Sequence, residues 1–321
     1  MKWLIIGIVF VFSLGYEKGY FYAGGVGYEC GKYRGVTAKD GMFYFQKGKS
    51  CRFKIGSFVF KTIKADRLEN NKIFFEDSSK TASFLQTLDI DGDFKNGIEI
   101  TKKEIEFLKF FPLSLKEKNI KEMAYWLESL MEYRGKYVSK TEALLNTVDY
   151  QNTFLKKLFS DRKFYYVEER VKEISFNKEL TLSKMENRLV LVLLNSEKLT
   201  LGKKIADVEV YKDKIKLVFN DEVKMLFFSK KEAENFDMAK YLKSLLKNRT
   251  FYEDGRKVTF FDTYGYMDFG DFKEKFEYKI KNNRLFLNLL GENIQKVWVF
   301  RGDCDEGLFF KEEGKNFILH Y

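Results

Sequence analysis

The sequence predicts a mainly β protein with helices, of the α+β class, and three observations support this prediction. Apolar and polar residues alternate at period two in many short runs, as is typical of strands. After about residue 163 these runs follow one another at short spacing, which indicates an antiparallel meander rather than alternating strands and helices. Residues 102–158 have helical periodicity instead. We expect a small N-terminal β-hairpin module, central helices, and two repeated units of a helix followed by a meander.

Composition indicates a folded chain and limits the partners. The 321 residues are 45% hydrophobic and 17% aromatic, enough for a real core and for two or three domains. The net charge is +10, from 57 Lys and Arg against 47 Asp and Glu. The lysines are spread evenly rather than clustered, so we expect no nucleic-acid partner. A basic nucleic-acid binder is the alternative, and it would show strong salt dependence on DNA.

The N-terminal stretch, residues 1–15, predicts export. Lys2 precedes an apolar run from Trp3 to Phe12, and the small-x-small sequence Ser13-Leu14-Gly15 follows. This pattern is typical of a secretory signal peptide, which we expect to be cleaved after Gly15, and the alternative is an uncleaved anchor. No later run approaches 18 apolar residues, so we expect no transmembrane span after signal removal. The predicted location is the periplasm or the cell surface.

Export changes the interpretation of the three cysteines. In an oxidising compartment Cys30 and Cys51 can form a disulfide. The bridge would close a loop of about 20 residues and stabilise the fold by about 3 kcal/mol. Cys304 remains, within the stretch RGDCDEG, as a free loop thiol or an intermolecular partner.

Residues 16–101 form the predicted β module, and residues 102–153 the helical segment. The module's clearest hairpin surrounds the turn at residues 47–50, and a helix with Asp77 or Ser78 as its N-cap follows. In the helical segment, Trp126, Leu127, Leu130 and Met131 form a stripe at helical spacing, which we expect to face the core.

The C-terminal half repeats itself. Residues 154–165 (FLKKLFSDRKFY) align with residues 241–252 (YLKSLLKNRTFY) at an offset of 87 residues. An internal duplication explains the match, with one meander repeat at 154–240 and a second at 241–321. The repeats are compatible with two small domains or with one larger sandwich or barrel.

Alternating aspartates after the module's helix predict a weak calcium site. Calcium takes six to eight oxygen ligands, and a single loop supplies them from its positions 1, 3, 5 and 7. Asp89, Asp91 and Asp93 have the spacing of the first three, the carbonyl of Lys95 has that of the fourth, and Asn96 offers an extra oxygen. The loop departs from an EF-hand because its glycine comes at position 4 and its twelfth position lacks glutamate. The alternative is a helix C-terminus followed by Asp-Gly and Asn-Gly turns without metal.

Residues 26–101 resemble a small disulfide-containing module found in exported and surface proteins of Gram-negative bacteria. The first half of the pattern comprises Cys30, Gly35, Thr37, Gly41, Phe43, Phe45 (Tyr in the module), Gly48, Cys51, Phe53, Ile55 and Gly56. The second half comprises Leu85, Gln86, Leu88, Asp89, Asp91, Gly92, Asp93, Asn96, Gly97 and Ile98. The resemblance implies export, the disulfide and the acidic loop, but no activity. The remaining chain matches no family beyond a general likeness to lipocalin meanders.

Residue types argue against catalysis. The chain has a single histidine, His320, so a Ser-His-Asp or Cys-His arrangement has almost no place to form. A carboxylate-pair hydrolase stays open, because 47 acidic residues always allow some pair. The sequence therefore favours a non-catalytic binding or surface-assembly protein with a protein or glycan partner. The alternative is a lipocalin-like carrier of an apolar ligand in the periplasm.

Overall fold

The structure, a computed structural model, describes residues 16–321 apart from 169, 187, 196–197, 292–293 and 305. The predicted signal peptide lies outside the described residues. As expected, the protein is mainly β with helices. Within the described part of the chain, no α-helix is both long and apolar enough to cross a membrane.

The N-terminal module contains three small sheets. Its strands are β1 (Glu17–Phe21), β2 (Ala23–Gly24), β3 (Gly27–Cys30), β4 (Tyr33–Val36), β5 (Met42–Phe45), β6 (Cys51–Ile55), β7 (Phe58–Ile63), β8 (Ile73–Phe74) and β9 (Ile98–Glu99). The sheets have the strand orders β5-β1-β8, β4-β3-β6-β7 and β2-β9. Cys30 and Cys51 lie opposite each other on β3 and β6, and a disulfide joins them, which confirms the predicted pairing.

Four helices follow or interrupt the module: α1 (Ser79–Leu88), α2 (Lys102–Leu108), α3 (Glu117–Leu127) and α4 (Lys140–Phe159). Ser78 caps α1 by accepting a hydrogen bond from the backbone N–H of Thr81. The first three helices pack on the module's strands in one apolar core, which includes Phe53, Phe84 and Leu127. The helical segment therefore completes the module's core.

Residues 163–227 form a closed eight-stranded antiparallel barrel, barrel 1, in which each strand pairs with its sequence neighbours. Its strands are β10 (Lys163–Val167), β11 (Val171–Phe176), β12 (Leu182–Met185), β13 (Arg188–Asn195), β14 (Lys198–Leu201), β15 (Lys204–Val210), β16 (Lys214–Val218) and β17 (Val223–Phe227). The first and last strands close the barrel through the pair Tyr165 and Phe227.

Helices α5 (Lys230–Glu234) and α6 (Met238–Leu246) lead into a second closed barrel with the same strand order, barrel 2. Its strands are β18 (Arg249–Glu253), β19 (Arg256–Phe260), β20 (Tyr264–Asp268), β21 (Lys273–Lys281), β22 (Arg284–Leu289), β23 (Ile294–Cys304), β24 (Gly307–Glu312) and β25 (Lys315–His320). The two meanders thus form two barrels rather than one larger sheet.

Each barrel core includes the end of the helix that precedes it. Leu155 and Phe159 of α4 belong to the core of barrel 1, and Leu242 and Leu246 of α6 belong to that of barrel 2. The offset of 87 residues seen in the sequence relates Leu155 to Leu242 and Phe159 to Leu246. Matching positions of the two repeats therefore occupy matching places in the fold.

Side chains fill the interiors of both barrels. In barrel 1 the inward residues Phe164, Ile174 and Leu217 have no accessible surface, and in barrel 2 the same holds for Phe260 and Phe276. A cavity large enough for a ligand would leave such side chains accessible to a water-sized probe. This packing makes an interior carrier site less well supported than a site between the units.

Candidate functional site

A buried cluster of charged and phenolic side chains lies where the N-terminal module, barrel 1 and barrel 2 meet. We call it the junction cluster, and it consists of Glu69, Glu209, Tyr211, Lys216, Tyr241 and Asp303. Glu69 comes from the segment before β8, Tyr241 from α6, and Asp303 from the end of β23. The cluster therefore joins all three parts of the chain.

Lys216 is the centre of this cluster. Ile215 and Leu217 point into barrel 1, so strand alternation places Lys216 on the outer face, where a lysine is normally solvated. Its side chain nevertheless has 0% accessible surface, because barrel 2 and the module cover that face. A buried ammonium needs close opposite charges to offset the loss of water.

Two carboxylates supply those charges. The Nζ of Lys216 lies 2.7 Å from Oδ2 of Asp303 and 2.9 Å from Oε2 of Glu69. The hydroxyl of Tyr241 donates to Oδ1 of Asp303 at 2.7 Å. Burial alone would lower the pKa of Lys216, but Asp303 first, and then the phenolic groups of Tyr241 and Tyr211 and the carboxylate of Glu69, hold that pKa well above its ordinary value. Lys216 therefore stays charged.

The cluster continues toward the module through Tyr211. Its hydroxyl lies 2.7 Å from Oε1 of Glu69 and 2.9 Å from Oε2 of Glu209. Lys72 of the module lies 3.2 Å from the other oxygen of Glu209. Burial tends to raise the pKa of Glu69, but the ammonium groups of Lys216 and Lys72 lower it to about 2. At neutral pH Glu69 is therefore ionised.

The two barrels approach closely beside Asp303. β23 carries a bulge between Phe300 and Gly302, and Gly302 has a positive φ of 119°. A Cβ built on Gly302 would lie 2.3 Å from the Cβ of Val223 in β17. Only glycine allows this backbone approach, which places the next residue, Asp303, against Lys216.

A cleft of about 460 Å³ opens beside the junction cluster. Glu69 and Leu68 line it from the module, Lys214 from barrel 1, and Tyr241 and Arg249 from the barrel 2 side. Its wall is thus made by all three parts of the chain. A cleft of this size, with apolar walls and a few polar groups, is the usual form of a small ligand site.

Positive groups of the cleft lack close carboxylate partners. The Nζ of Lys214 has its nearest ion-pair partner, Asp213, at 3.8 Å and lies 4.4 Å from the ring centre of Tyr211. Burial lowers the pKa of Lys214, and Lys216 lowers it further. Arg249 lies over the Tyr321 ring at 5.7 Å and forms no ion pair with a described carboxylate. Of the carboxylates that line the cleft, Asp303 and Glu69 are paired with Lys216, and Glu69 also lies 3.7 Å from Lys72. Glu17 and Asp66 line the cleft as well.

The acidic loop begins where α1 ends. Asp89 is the C-cap residue and is 1% exposed. Asp91 accepts hydrogen bonds from the backbone N–H of Asp93 at 2.9 Å and from the amide of Asn96 at 2.8 Å. Asp93 accepts one from the backbone N–H of Lys95 at 3.1 Å. These bonds hold the turn in the way that the metal-free alternative requires.

Asp89 differs from the other two aspartates. Its Oδ1 accepts from the backbone N–H of Glu99 at 3.0 Å, whereas its buried Oδ2 has no hydrogen-bond partner. Burial, the neighbouring carboxylate of Asp91 and that of Glu104 raise the pKa of Asp89 to about 7, against the effect of the Glu99 N–H. A buried, unpartnered carboxylate oxygen is costly and favours either a proton or a cation beside it.

Only some of the predicted metal ligands lie close together in the structure. Asp89 and Asp91 are neighbours, while Asp93 turns toward the N–H of Lys95 and Asn96 directs its amide nitrogen toward Asp91. Within the described residues, no group of three or more His, Cys, Asp and Glu side chains is arranged to hold a metal ion. The calcium site stays a prediction that rests mainly on Asp89.

One expectation for the C-terminal stretch was incomplete, and one feature there was not expected at all. Cys304 is unpaired, but it ends strand β23 and is buried, so it is not a loop thiol. The junction cluster was not predictable from the sequence, because Lys216 and Asp303 belong to different strands and each has the pattern of a solvated residue. The sequence feature that could have indicated the cluster is Asp303 directly after Gly302 in β23. A charged surface loop would contain the same pair of residues, so this feature is not specific.

Comparisons with known proteins assign no family. The chain matches no protein-family model, no curated protein and no solved structure. The resemblance of residues 26–101 to an exported module therefore stays a prediction. Function has to be argued from the geometry of the cleft and the loop.

Proposed function

We propose that the chain is an exported, non-catalytic binding or surface-assembly protein whose ligand site is the junction cleft. The observation that supports this most is the pair of cations, Lys214 and Arg249, that line the cleft without close carboxylate partners. Export is supported by the apolar N-terminal sequence, and the disulfide is compatible with it. The periplasm and the cell surface are the proposed locations.

The chemistry of the cleft favours a ligand that carries a carboxylate. An arginine forms paired hydrogen bonds to a carboxylate, and a lysine contributes a point charge. Leu68, Leu245 and the rings of Tyr241 and Tyr321 provide the apolar and aromatic walls that accept side chains or sugar faces. An acidic group of a protein or of a glycan meets these requirements.

Removal of the two cations tests the cleft. We expect Lys214→Met with Arg249→Met to weaken binding of an acidic polymer at least ten-fold, because each lost bond to a charged group contributes about 1.5–3 kcal/mol. The measurement is titration calorimetry in low salt with poly-L-glutamate and, separately, with polygalacturonate. The two polymers distinguish a protein from a glycan partner.

Lys279, which is exposed and forms no ion pair with a described carboxylate, provides the control. Lys279→Met removes one positive charge that does not line the cleft and should leave binding unchanged. If neither polymer binds the wild type, or if the double variant binds as tightly, the cleft is not the site of an acidic ligand.

We also propose that the acidic loop binds calcium weakly. The residues fit the ion in one respect, since the buried Oδ2 of Asp89 lacks a partner beside the carboxylate of Asp91. Asp91, Asp93, the carbonyl of Lys95 and the side-chain oxygen of Asn96 are the further oxygens within the same turn. The ion would neutralise the crowded carboxylates and order the segment between α1 and β9.

Calcium should therefore raise the melting temperature. At millimolar calcium and a dissociation constant of about 10⁻⁴ M, binding adds about 1.4 kcal/mol, which is a shift of about 2–4 °C. Scanning calorimetry with calcium, and with magnesium at equal ionic strength, measures the effect. The shift should vanish in Asp91→Ala with Asp93→Ala and persist in Asp271→Ala, whose exposed carboxylate is elsewhere. An unmoved wild type, or an equal shift in the double variant, contradicts the proposal.

A further inference from the structure

The outer face of barrel 1 exposes an unusual number of aliphatic side chains. On β13, Leu189 and Leu191 are each 71% exposed and Leu193 is 65% exposed. Leu182 on β12 is 38% exposed and Ile205 on β15 is 57% exposed. We call these five residues the leucine face. Soluble monomers rarely expose a contiguous apolar patch of more than a few hundred Å², and larger patches mark interaction sites.

Strand register makes the leucine face continuous. Leu182 pairs with Leu191 across β12 and β13. Leu193 pairs with Thr200 on β14, which in turn pairs with Ile205 on β15. Directly paired residues have Cβ atoms about 4.5–5.5 Å apart, and alternate residues of one strand share a face. The five side chains therefore form one surface that spans four neighbouring strands.

Three cations border this surface. Lys184 pairs with Leu189 in register, Arg188 begins β13, and Lys203 follows Gly202, whose N–H donates to the carbonyl of Leu191 at 2.8 Å. All three are exposed, and none forms an ion pair with a described carboxylate.

Two other lysines on the strands of this face, Lys198 and Lys204, form ion pairs. Lys198 lies 3.2 Å from Asp207, and Lys204 lies 3.0 Å from Asp221. The unpaired positive charge is therefore concentrated beside Leu189 and Leu191, at one end of the leucine face. This arrangement is complementary to a surface that is apolar inside and negative outside.

We propose that the leucine face docks on an anionic lipid surface, with its aliphatic side chains in the interfacial layer and with Lys184, Arg188 and Lys203 on lipid phosphates. Membrane affinity of a peripheral protein grows with buried apolar area and with attraction to anionic headgroups, and this face offers both. A second copy is a poorer occupant, because two identical faces would bring like charges together. This inference is independent of the junction cleft and of the calcium loop.

Vesicle cosedimentation tests the proposal. The vesicles contain phosphatidylcholine with 30% phosphatidylglycerol, or phosphatidylcholine alone, and every variant shares the wild-type N-terminus. We expect the wild type to prefer the anionic vesicles and to lose binding as salt rises. Leu189→Ser, Leu191→Ser and Leu193→Ser together should lower the partition coefficient at least ten-fold. Lys184→Gln, Arg188→Gln and Lys203→Gln together should lower it about 100-fold, at about five-fold per cation.

Helix α4 offers a matched control. Leu144 and Leu145 are 47% and 65% exposed there, at the end of the helix opposite to Leu155 and Phe159, and they are not part of the leucine face. Leu144→Ser with Leu145→Ser should leave the partition coefficient unchanged, and melting curves establish that each variant is folded. Equal binding by the leucine variant, or no preference for anionic vesicles, overturns the proposal. A concentration-dependent dimer in sedimentation equilibrium that the leucine variant abolishes would overturn it in favour of a second copy.

Discussion

Replacing Lys216 with methionine is expected to lower the free energy of unfolding by about 3–5 kcal/mol. Methionine keeps most of the volume of the buried stem, so packing changes little. The loss comes mainly from Asp303, which is 3% exposed and loses the ammonium group that compensates its burial, while Glu69 keeps only the more distant ammonium group of Lys72, at 3.7 Å. Breaking a buried pair by removing one partner leaves an uncompensated charge, which is the costly case.

Denaturation in guanidinium, followed by far-UV circular dichroism, measures this loss. Lys279→Met serves as the control for the same substitution at an exposed position and should change stability by less than about 0.5 kcal/mol. Asp303→Asn should cost less in the Lys216→Met background than in the wild type, since the pair is then already broken. A loss below about 1 kcal/mol for Lys216→Met would mean that water reaches the site and that the cluster does not hold the units together.

Local periodicity was sufficient to predict most of the fold. The period-two runs from β10 to β25 fold as sequential antiparallel strands, because each strand needs only its neighbour in sequence to pair. The same locality explains why the repeat was visible, since Leu155 and Leu242 have equivalent places in the two cores. Barrel closure could not be predicted, because it depends on strand tilt and stagger rather than on composition.

The sequence could not predict the burial of residues whose surroundings come from distant segments. Lys216 has the pattern of a solvated strand residue, and only the packing of barrel 2 and the module buries it. The leucines of β13 are exposed where the pattern predicts burial. A continuous apolar run is typical of a strand that is covered on both faces, yet Leu189 and Leu191 are exposed. In both cases burial depends on whether a segment distant in sequence packs on that face, which the local pattern does not show.

Short-range patterns failed at two places. The hairpin predicted around residues 47–50 does not form, because β5 pairs with β1 while β6 pairs with β3 and β7 in another sheet. The helical stripe failed where its helix ends. Leu127 is buried as the helical stripe predicted, but α3 ends there, and the chain then turns. Leu130 is only partly buried, and Met131 is 90% exposed. Helical spacing predicts a shared face only while the helix continues. The acidic loop shows a similar limit of sequence patterns. The spacing of Asp89, Asp91 and Asp93 could be read from the sequence, but the direction of each side chain could not.

The second large effect concerns the disulfide. Replacing both Cys30 and Cys51 with alanine is expected to cost about 3 kcal/mol or more in the free energy of unfolding. The bridge spans a sequence separation of 21 residues, so its loss restores that loop's freedom to the unfolded chain. Both residues are also fully buried in the module's core beside Phe53, and alanine leaves unfilled space there. Scanning calorimetry under oxidising conditions measures the difference.

Cys304→Ala is the matched control for this prediction. It removes a thiol that is also buried, at 8% exposure, but it opens no covalent loop, so we expect a loss of about 1 kcal/mol. Reductant should lower the wild-type melting temperature nearly to that of the double variant and leave the double variant itself unmoved. Non-reducing mass spectrometry should link the peptides that contain Cys30 and Cys51. A linkage from Cys304 to either of them would contradict the Cys30–Cys51 pairing. Equal losses in the double variant and in Cys304→Ala would show that cavity formation rather than the cross-link determines the effect.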